Sequence, residues 1–357
     1  MIRIEPRDKI SNSSTVLIPI IAAVISLLFA AIPLLAAGAN PFVAYVEMAK
    51  GVFGSVFAIS EMLTRATPLI YTGLAAAIAF RAKLWNIGAE GQLYLGAIAA
   101  VTVGSGFFDL PAVLLLPLII VLGGCAGAVG MAAPTYLKVR FGADEVVTTL
   151  LLNFIIIIFL QMLLEGPLQD PMGLGWPQSA PILEQGMFPP LIDRMRVHSG
   201  LILAVLLAVI AHFIIKYSVW GFKLREVGEN SAAAKHAGIN INRSLFSVAL
   251  LSGGLAGLAG VSEVAGLKGY LTADLSPGFG YAGIVVAMLA GLSPLGVLIA
   301  SVFIASVFVG ADSMSRAMGI SSFLADLVVS VSLLCVLVGG FISKFKIVRA
   351  GTGKRVK

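Results

Sequence analysis

Long apolar stretches alternate with short polar connections along almost the whole chain. A helix needs about 20 apolar residues to cross a hydrocarbon core of about 30 Å, and most of the apolar stretches are long enough. The pattern therefore predicts an all-α polytopic membrane protein with about ten transmembrane helices in one domain, residues 15–342. The ten segments are 15–37, 62–80, 88–107, 111–133, 146–164, 199–215, 244–264, 280–292, 295–311 and 322–342.

Two segments depart from a regular span. Residues 280–292 would reach only about 20 Å at 1.5 Å per residue, and Pro294 follows them. We expect a short or broken helix there, beside the substrate path, because transporters use such breaks to bring backbone dipoles near a substrate. Residues 38–61 place apolar side chains at helical spacing, which indicates an interfacial amphipathic helix, with a plain linker as the alternative.

The composition supports the membrane assignment. Hydrophobic residues make up 59% of the chain, charged residues 12%, and the mean hydropathy is +1.00, whereas a soluble domain is about 45–50% apolar and about 25% charged. The lipid bilayer is therefore a partner of the chain. The net charge of +6 indicates basic cytoplasmic loops and no nucleic-acid binding, because the basic residues lie between the apolar segments.

The distribution of basic residues sets the orientation. With the N-terminus inside, 18 of the 24 Lys and Arg residues fall on cytoplasmic segments, in agreement with the positive-inside rule. This split predicts that the N-terminal segment 1–14, the loop 216–243 and the basic tail 343–357 are cytoplasmic. The proline-rich segment 165–198 then lies on the outer side, as a rim or a short interfacial helix.

Small residues recur at close intervals in two of the predicted helices. Gly123 and Gly127 are four residues apart in the fourth segment, and Ser252, Gly257 and Gly260 lie in the seventh. Small residues let helix backbones approach closely in lipid. Tight packing within one chain is the favoured interpretation, and a subunit interface is the alternative.

The sequence contains no recognisable catalytic constellation. His198, His212 and His236 are scattered, and neither an HExxH stretch nor a paired-cysteine site is present. We expect no enzymatic activity, no metal site and no cofactor in this chain. Any ATP would be bound by a partner ATPase.

Three acidic residues lie at predicted membrane depth. Glu90 opens the third segment, Glu263 lies near the outer end of the seventh, and Asp326 lies in the tenth. Ionisable residues in membranes are costly, so each is a candidate for the substrate path, with a structural hydrogen-bonded role as the alternative. An ion-gradient-driven secondary transporter of a small polar solute stays open on this evidence, although three such acids support it only weakly.

The loop 216–243 is the longest strongly charged stretch of the chain. Asn230 or Ser231 can cap a short helix, Ala232 to Ala237 propagate it, and Gly238 can end it in a left-handed turn. A short capped helix that projects from a membrane domain has the shape needed to dock into a partner. An ordinary cytoplasmic loop is the alternative.

Three stretches together resemble a known family. They are FRAKLWNIGAEGQ at 80–92, LREVGENSAAAKHAGIN at 224–240 and GFGYAGIVVAMLAGLSPLG at 278–296. They resemble the permease subunits of bacterial ABC importers, in the branch of ribose, simple-sugar and nucleoside permeases, with branched-chain amino acid permeases as more distant relatives. The likeness spans about residues 60–342, and NIGAEGQ is most similar to the nucleoside group.

The resemblance implies a function and a set of partners. The chain would form half of the translocation path for a nucleoside or a simple sugar in the inner membrane of a bacterium, with branched-chain amino acids as an alternative substrate class. It would pair with a second, related permease, with ABC ATPase subunits below and a periplasmic or lipid-anchored binding protein above. Because that binding protein would carry most of the selectivity, the sequence specifies the substrate least of all.

The resemblance also maps roles onto residues. The coupling loop, which would sit on the ATPase, maps onto Arg225, Glu226, Gly228, Glu229, Asn230, Ala234, Ala237 and Gly238. For the substrate path we nominate the polar and aromatic residues Asn86, Glu90, Gln92, Phe279 and Tyr281, beside the acids Glu263 and Asp326. Helix-start capping and interfacial packing are the alternative roles of these side chains.

Overall fold

The computed structural model describes residues 2–6, 12–106 and 111–349, so residues 350–357 of the predicted basic tail lie outside the described residues. The helices are α1 (Asn12–Ala36), α2 (Pro41–Phe53), α3 (Val56–Arg81), α4 (Ala89–Gly104), α5 (Ala112–Phe141), α6 (Glu145–Leu164), α7 (Gly200–Tyr217), α8 (Val219–Glu229), α9 (Ser231–His236), α10 (Ile241–Glu263), α11 (Phe279–Leu289), α12 (Pro294–Met318) and α13 (Ser322–Lys344). Two short strands, β1 (Ile2–Pro6) and β2 (Phe345–Arg349), and a π-helical turn at Val264–Lys268 accompany these helices.

Each of the ten predicted apolar segments overlaps one helix, but they are not all membrane-crossing helices by length. Among the described residues, seven helices are long and apolar enough to cross a membrane, or up to eight if the bent pair of α1 and α2 is one span. The pair bends by 117° between residues 36 and 41. The described chain therefore confirms a polytopic helical membrane protein, while the count of ten crossing helices stays a prediction. The short helix predicted at 280–292 is confirmed as α11, which has 11 residues.

The chain divides into two compact units, whose boundaries fall within α2 and α12. The first unit consists of residues 1–49 and 310–357. Within it, α1 packs along α13, and the Tyr45 hydroxyl donates a hydrogen bond to the Leu27 carbonyl. Strands β1 and β2 pair antiparallel, with Ile4 opposite Ile347. The two ends of the described chain therefore lie side by side.

The second unit, residues 50–309, is built around α3 and α10. Nineteen residues of α3 are buried, which is typical of a helix surrounded by protein on all sides. Helix α10 packs against α3, α4 and α5. A Cβ atom at Gly257 of α10 would overlap the carbonyl oxygen of Gly123 in α5. The small-residue faces of α5 and α10 thus pack against each other within one chain, as the favoured interpretation predicted.

Two connections mark the opposite ends of α10. Residues 216–243 form α8 and α9 next to the start of α10, where the Trp220 Nε1–H donates to the Ser247 hydroxyl over 2.9 Å. Residues 165–198 lie at its other end, where the Phe188 N–H donates to the Ala265 carbonyl over 2.8 Å. We call these the near end and the far end of the second unit. The segment at the far end is irregular apart from a 3-10 turn at Glu184–Gly186.

Candidate functional site

Two short helices, α4 and α11, begin beside each other halfway along the second unit. The Thr72 hydroxyl of α3 donates to the carbonyl of Phe279, the first residue of α11, over 2.9 Å. Thr72 lies nine residues before Arg81 at the near end of α3, a rise of about 14 Å. That distance is close to half of a hydrocarbon core of about 30 Å. Helix α11 therefore starts in the middle of the bundle.

A second hydrogen-bond chain places the start of α4 inside the bundle. The Asn86 Nδ2–H donates to the Ser252 hydroxyl over 2.9 Å, and Ser252 donates in turn to the Ala75 carbonyl over 2.8 Å. Ser252 lies eleven residues into α10, about 16 Å from its near end. The chain just before α4 thus runs inside the bundle beside α3 and α10, and we call residues 86–92 and 276–281 the half-helix junction.

The backbones of the two half-helices touch at the junction. A Cβ atom at Gly280 would overlap the backbone of Ala89 and Glu90, so only glycine allows this approach. From the junction, α11 runs toward the near end, where the Leu292 carbonyl accepts from Arg81 Nε over 2.8 Å. Helix α4 runs toward the far end, where the Gly104 carbonyl accepts from the Leu183 N–H over 2.8 Å.

Glu90 joins the two helix starts. One carboxyl oxygen accepts the Gly280 N–H over 2.7 Å, and Ser276 hydrogen-bonds to the same side chain. The Ser276 hydroxyl also accepts the Phe279 N–H over 2.9 Å. The first N–H groups of a helix have no partner within it and carry a partial positive charge. The Glu90 side chain, which is only 4% exposed, therefore satisfies one N–H at the start of α11 and also lies in the first turn of α4, where an acidic group is favourable.

Asn86 and Gln92 form a closed amide pair. The Asn86 Nδ2–H donates to Gln92 Oε1 over 2.8 Å, and the Gln92 Nε2–H donates back to Asn86 Oδ1 over 3.0 Å. Asn86 Oδ1 also accepts the Gly88 N–H over 2.9 Å. Both side chains are buried. Their polar atoms shape the turn before α4, which agrees with the alternative role of helix-start capping.

The two aromatic candidates differ in their surroundings. Phe279 is fully buried and packs against Phe308 with ring centroids 6.0 Å apart. Tyr281 is 39% exposed, and its hydroxyl oxygen accepts the Asn153 Nδ2–H over 3.2 Å. Asn153 also accepts the Gly91 N–H over 2.9 Å, which ties α6 to the start of α4. Of the five junction candidates, Tyr281 alone presents an exposed side chain.

Five of the seven substrate-path candidates meet at the junction, and two do not. Glu263 is buried at the far end of α10, where the charges of Arg65 and Lys268 act on it. Asp326 lies in the first unit with an exposed side chain. Sequence reasoning missed Asn153, although this residue is the single amide within the apolar run LLLNFIIIIFL of α6, and that isolation was a usable signal.

The coupling-loop candidates form the predicted capped helix at the near end. Asn230 Oδ1 accepts the N–H groups of Ala232 and Ala233, each over 3.1 Å. Gly238 has φ of +80°, and its N–H donates to the Lys235 carbonyl over 3.0 Å. The helix start and its left-handed end are therefore confirmed, with Asn230 rather than Ser231 as the cap.

The remaining coupling candidates attach this short helix to the second unit. Arg225 Nη1 donates to the Ile215 carbonyl, and a Cβ atom at Gly228 would overlap the Arg81 carbonyl oxygen. Ala234 is buried, Glu226 is half-buried, and Glu229 and Ala237 are exposed. Helix α9 therefore has one exposed face, while Ala234 on its other face and helix α8 attach it to the second unit.

The far end contains a buried histidine. His198 is 2% exposed, stacks on Phe188 with ring centroids 5.6 Å apart, and lies so close to Gly266 that a Cβ there would overlap the ring. Its Nδ1 accepts the Gly200 N–H over 3.2 Å. Burial lowers the pKa of His198 to about 4, because a charged imidazole is poorly solvated there. The ring is therefore a neutral packing element at neutral pH.

The second unit combines two buried half-helices that meet at mid-depth with a capped helix exposed at one end. This combination is typical of multi-pass transport proteins. Residues 58–337 match the family described as the permease component of the branched-chain amino acid transport system, and the chain belongs to that family. It is therefore a transport component of the ABC permease type rather than an enzyme.

Similar proteins cover nearly the whole chain. The guanosine ABC transporter permease protein of Bacillus subtilis is 35% identical over 92% of this chain and 94% of its own length. The glucose ABC transporter permease protein of Haloferax volcanii is 33% identical over 97% of this chain and 93% of its own length. The nucleoside ABC transporter permease protein of Lactococcus lactis is 33% identical over 86% of each chain.

Proposed function

We propose that this chain is one permease subunit of an ABC importer and forms half of the translocation path for a nucleoside or a simple sugar. The observation that carries the proposal is the likeness to nucleoside permeases over almost the entire chain. The glucose permease among the relatives keeps simple sugars in the proposal. The half-helix junction supports it too, because transporters place substrate beside the ends of discontinuous helices near the bilayer midplane.

The near end is the proposed contact with the ATPase. Helix α9 exposes Ser231 and Lys235, and the exposed Ala237 follows its last residue, while Ala234 is buried against the rest of the second unit. Closure of ATPase domains around ATP would push on this helix, and the contacts of α8 with α3, α7 and α10 would pass the motion to the membrane helices. The coupling role is assigned to Arg225, Glu226, Gly228, Glu229, Asn230, Ala234, Ala237 and Gly238.

The proposed topology places the near end and both termini in the cytoplasm of a bacterium, with the far end outside the plasma membrane. The pairing of β1 with β2 supports a common side for the termini, and the basic asymmetry supports the cytoplasmic side. We count α4 and α11 as membrane-embedded half-helices, which gives ten embedded helices in all. A second, related permease would complete the path, and an extracytoplasmic binding protein would dock at the far end.

Transport by the reconstituted complex tests this proposal. The chain is co-expressed with an ABC ATPase, a second permease and a substrate-binding protein and placed in vesicles. Uptake of labelled guanosine, uridine, ribose, glucose and leucine is then measured with and without ATP. We expect ATP-dependent uptake of a nucleoside or a sugar. Uptake driven by an ion gradient without ATP, or uptake of leucine alone, would contradict the proposal.

A further inference from the structure

We infer that Tyr281 is the side chain by which this subunit contacts the substrate, with its ring against a nucleobase and its O–H donated to an acceptor on that base. Asn153 acts through Tyr281 as a positioning residue. The inference rests on the proposed function and specifies the substrate class as a nucleoside. It follows from the depth of Tyr281, from its exposure and from the direction of its hydrogen bond.

The depth of Tyr281 is unusual for an exposed tyrosine. It lies in the first turn of α11, at the level of the Thr72 contact and thus near mid-depth. Exposed tyrosines of membrane proteins concentrate at the two interfaces, and polar groups at mid-depth face the bundle interior or a water-filled cavity. Tyr281, which is 39% exposed, therefore faces outward from this chain at mid-depth, where the proposed second permease would complete the path.

The hydrogen bonds of Asn153 fix the direction of the Tyr281 proton. Asn153 Oδ1 accepts the Gly91 N–H over 2.9 Å, and its Nδ2 donates to the Ile87 carbonyl over 3.0 Å. The amide orientation is therefore determined, and the atom facing Tyr281 at 3.2 Å is the Nδ2 donor. The Tyr281 oxygen must accept this bond, which leaves its own proton to donate. Within the described residues, no hydrogen bond uses that proton.

These features match the chemistry of a nucleoside. The base offers a flat π-face for stacking on an aromatic ring, with carbonyl or ring-nitrogen acceptors at its edge. The contact is rigid because Asn153 links Tyr281 to the backbone of the junction, and the junction itself is buried. A weak contact of this kind suits a path that must release its substrate.

The test compares variants of the complete complex in vesicles. Tyr281→Phe keeps the ring and removes the donor, and Tyr281→Ala removes both. We expect nucleoside uptake at saturating binding protein to fall several-fold for Tyr281→Phe and on the order of tenfold or more for Tyr281→Ala. Asn153→Ala should lower uptake in the parent but cause no further loss in the Tyr281→Phe background, because a positioning residue acts only through the hydroxyl; a further loss there would indicate a structural role through Gly91. Tyr136→Ala is the matched control, since Tyr136 is an exposed aromatic of α5 outside the junction.

The inference and the proposed function fail in different ways. If the parent complex takes up a sugar but no nucleoside, the inference is overturned and the proposed function stands; if it takes up neither, both fail. If the parent transports a nucleoside and both Tyr281 variants match it, the inference alone is overturned. Loss of the second permease from purified Tyr281→Ala complexes would also overturn it, because the residue would then be a subunit contact. A larger loss for guanosine than for ribose in Tyr281→Ala supports base stacking.

Discussion

The near-end helix α9 and the half-helix junction are held by opposite kinds of contact. Asn230, Ala234 and Gly238 stabilise α9 through bonds between residues at most five positions apart. The junction depends on contacts between Thr72 and Phe279 and between Glu90 and Gly280, which are about two hundred positions apart in the chain. One element is local and exposed, and the other is long-range and buried.

This difference separates the two tasks of a transport subunit. A locally stabilised helix keeps its shape while its surroundings move, so it can transmit force from a partner. A buried junction that ties α3, α4, α6 and α11 together would fix the geometry of the proposed path. Substitutions in the junction should therefore lower stability, whereas substitutions on α9 should lower coupling. Matched changes in the two regions test this division.

The largest effect is expected for Gly280→Val. Its side chain would overlap the backbone of Ala89 and Glu90, and backbone cannot move aside as a flexible side chain can. Overpacking typically costs about 1–3 kcal/mol, and a clash with backbone belongs at the upper end of that range. We expect low yields of folded protein and a lowered thermal unfolding midpoint in detergent. A midpoint equal to that of the parent would show that the half-helices do not touch.

Glu90→Ala should have the next largest effect. The substitution leaves the Gly280 N–H buried without an acceptor, at a cost of about 1–3 kcal/mol. Glu90→Gln is the matched control because it keeps an acceptor at the same position, and it should lose much less stability. Equal losses in the two variants, measured by thermal unfolding, would show that the hydrogen bond contributes nothing.

His198 makes far-end stability depend on pH. Its native pKa of about 4 lies below the ordinary value of 6.5, so its contribution is complete above pH 6.5 and is lost as the pH falls toward 4. We expect the parent to lose about 2 kcal/mol between pH 7 and pH 5 relative to His198→Gln. Unfolding midpoints of both proteins at the two pH values measure this, and equal losses would contradict a buried neutral ring.

The sequence predicted the local contacts of α9 but not the long-range contacts of the junction. The cap and the left-handed end of α9 were predictable at residue level, because caps depend on neighbours within a few positions. The short α11 was predictable from its length. The contacts of Glu90 with Gly280 and of Asn153 with Gly91 were not, since spacing in one chain carries no information on which distant backbone N–H meets which acceptor.

The candidate site shows most clearly what the sequence could not predict. Asn86, Glu90, Gln92, Phe279 and Tyr281 were nominated together, and the structure brings them together. Their individual surroundings differ, however, because exposure depends on how the helices pack. Asp326 was nominated on the same grounds as Glu90, yet its side chain is exposed in the other unit. A polar residue in an apolar segment thus indicates that the position has a structural or functional role, but it does not indicate which role.

A smaller effect on stability, and a sharper test of coupling, is expected for Gly238→Val. Gly238 has φ of +80° and no atom lies within 4 Å of an added Cβ. The cost is therefore backbone strain of about 1–2 kcal/mol at the end of α9, without a clash. We expect assembly in the membrane to be preserved and substrate-stimulated ATP hydrolysis by the reconstituted complex to fall several-fold.

Glu229→Lys separates docking from local strain in the same experiment. Glu229 is exposed, and its backbone carbonyl rather than its carboxylate accepts from Lys83 Nζ at 3.4 Å, so the substitution should leave the fold unchanged. If α9 docks on an ATPase through charge pairing, reversal at Glu229 should weaken stimulated hydrolysis, and more so at low ionic strength. If both variants hydrolyse ATP and transport substrate like the parent, α9 is only a solvated connection. The proposed difference in function between α9 and the half-helix junction would then be wrong.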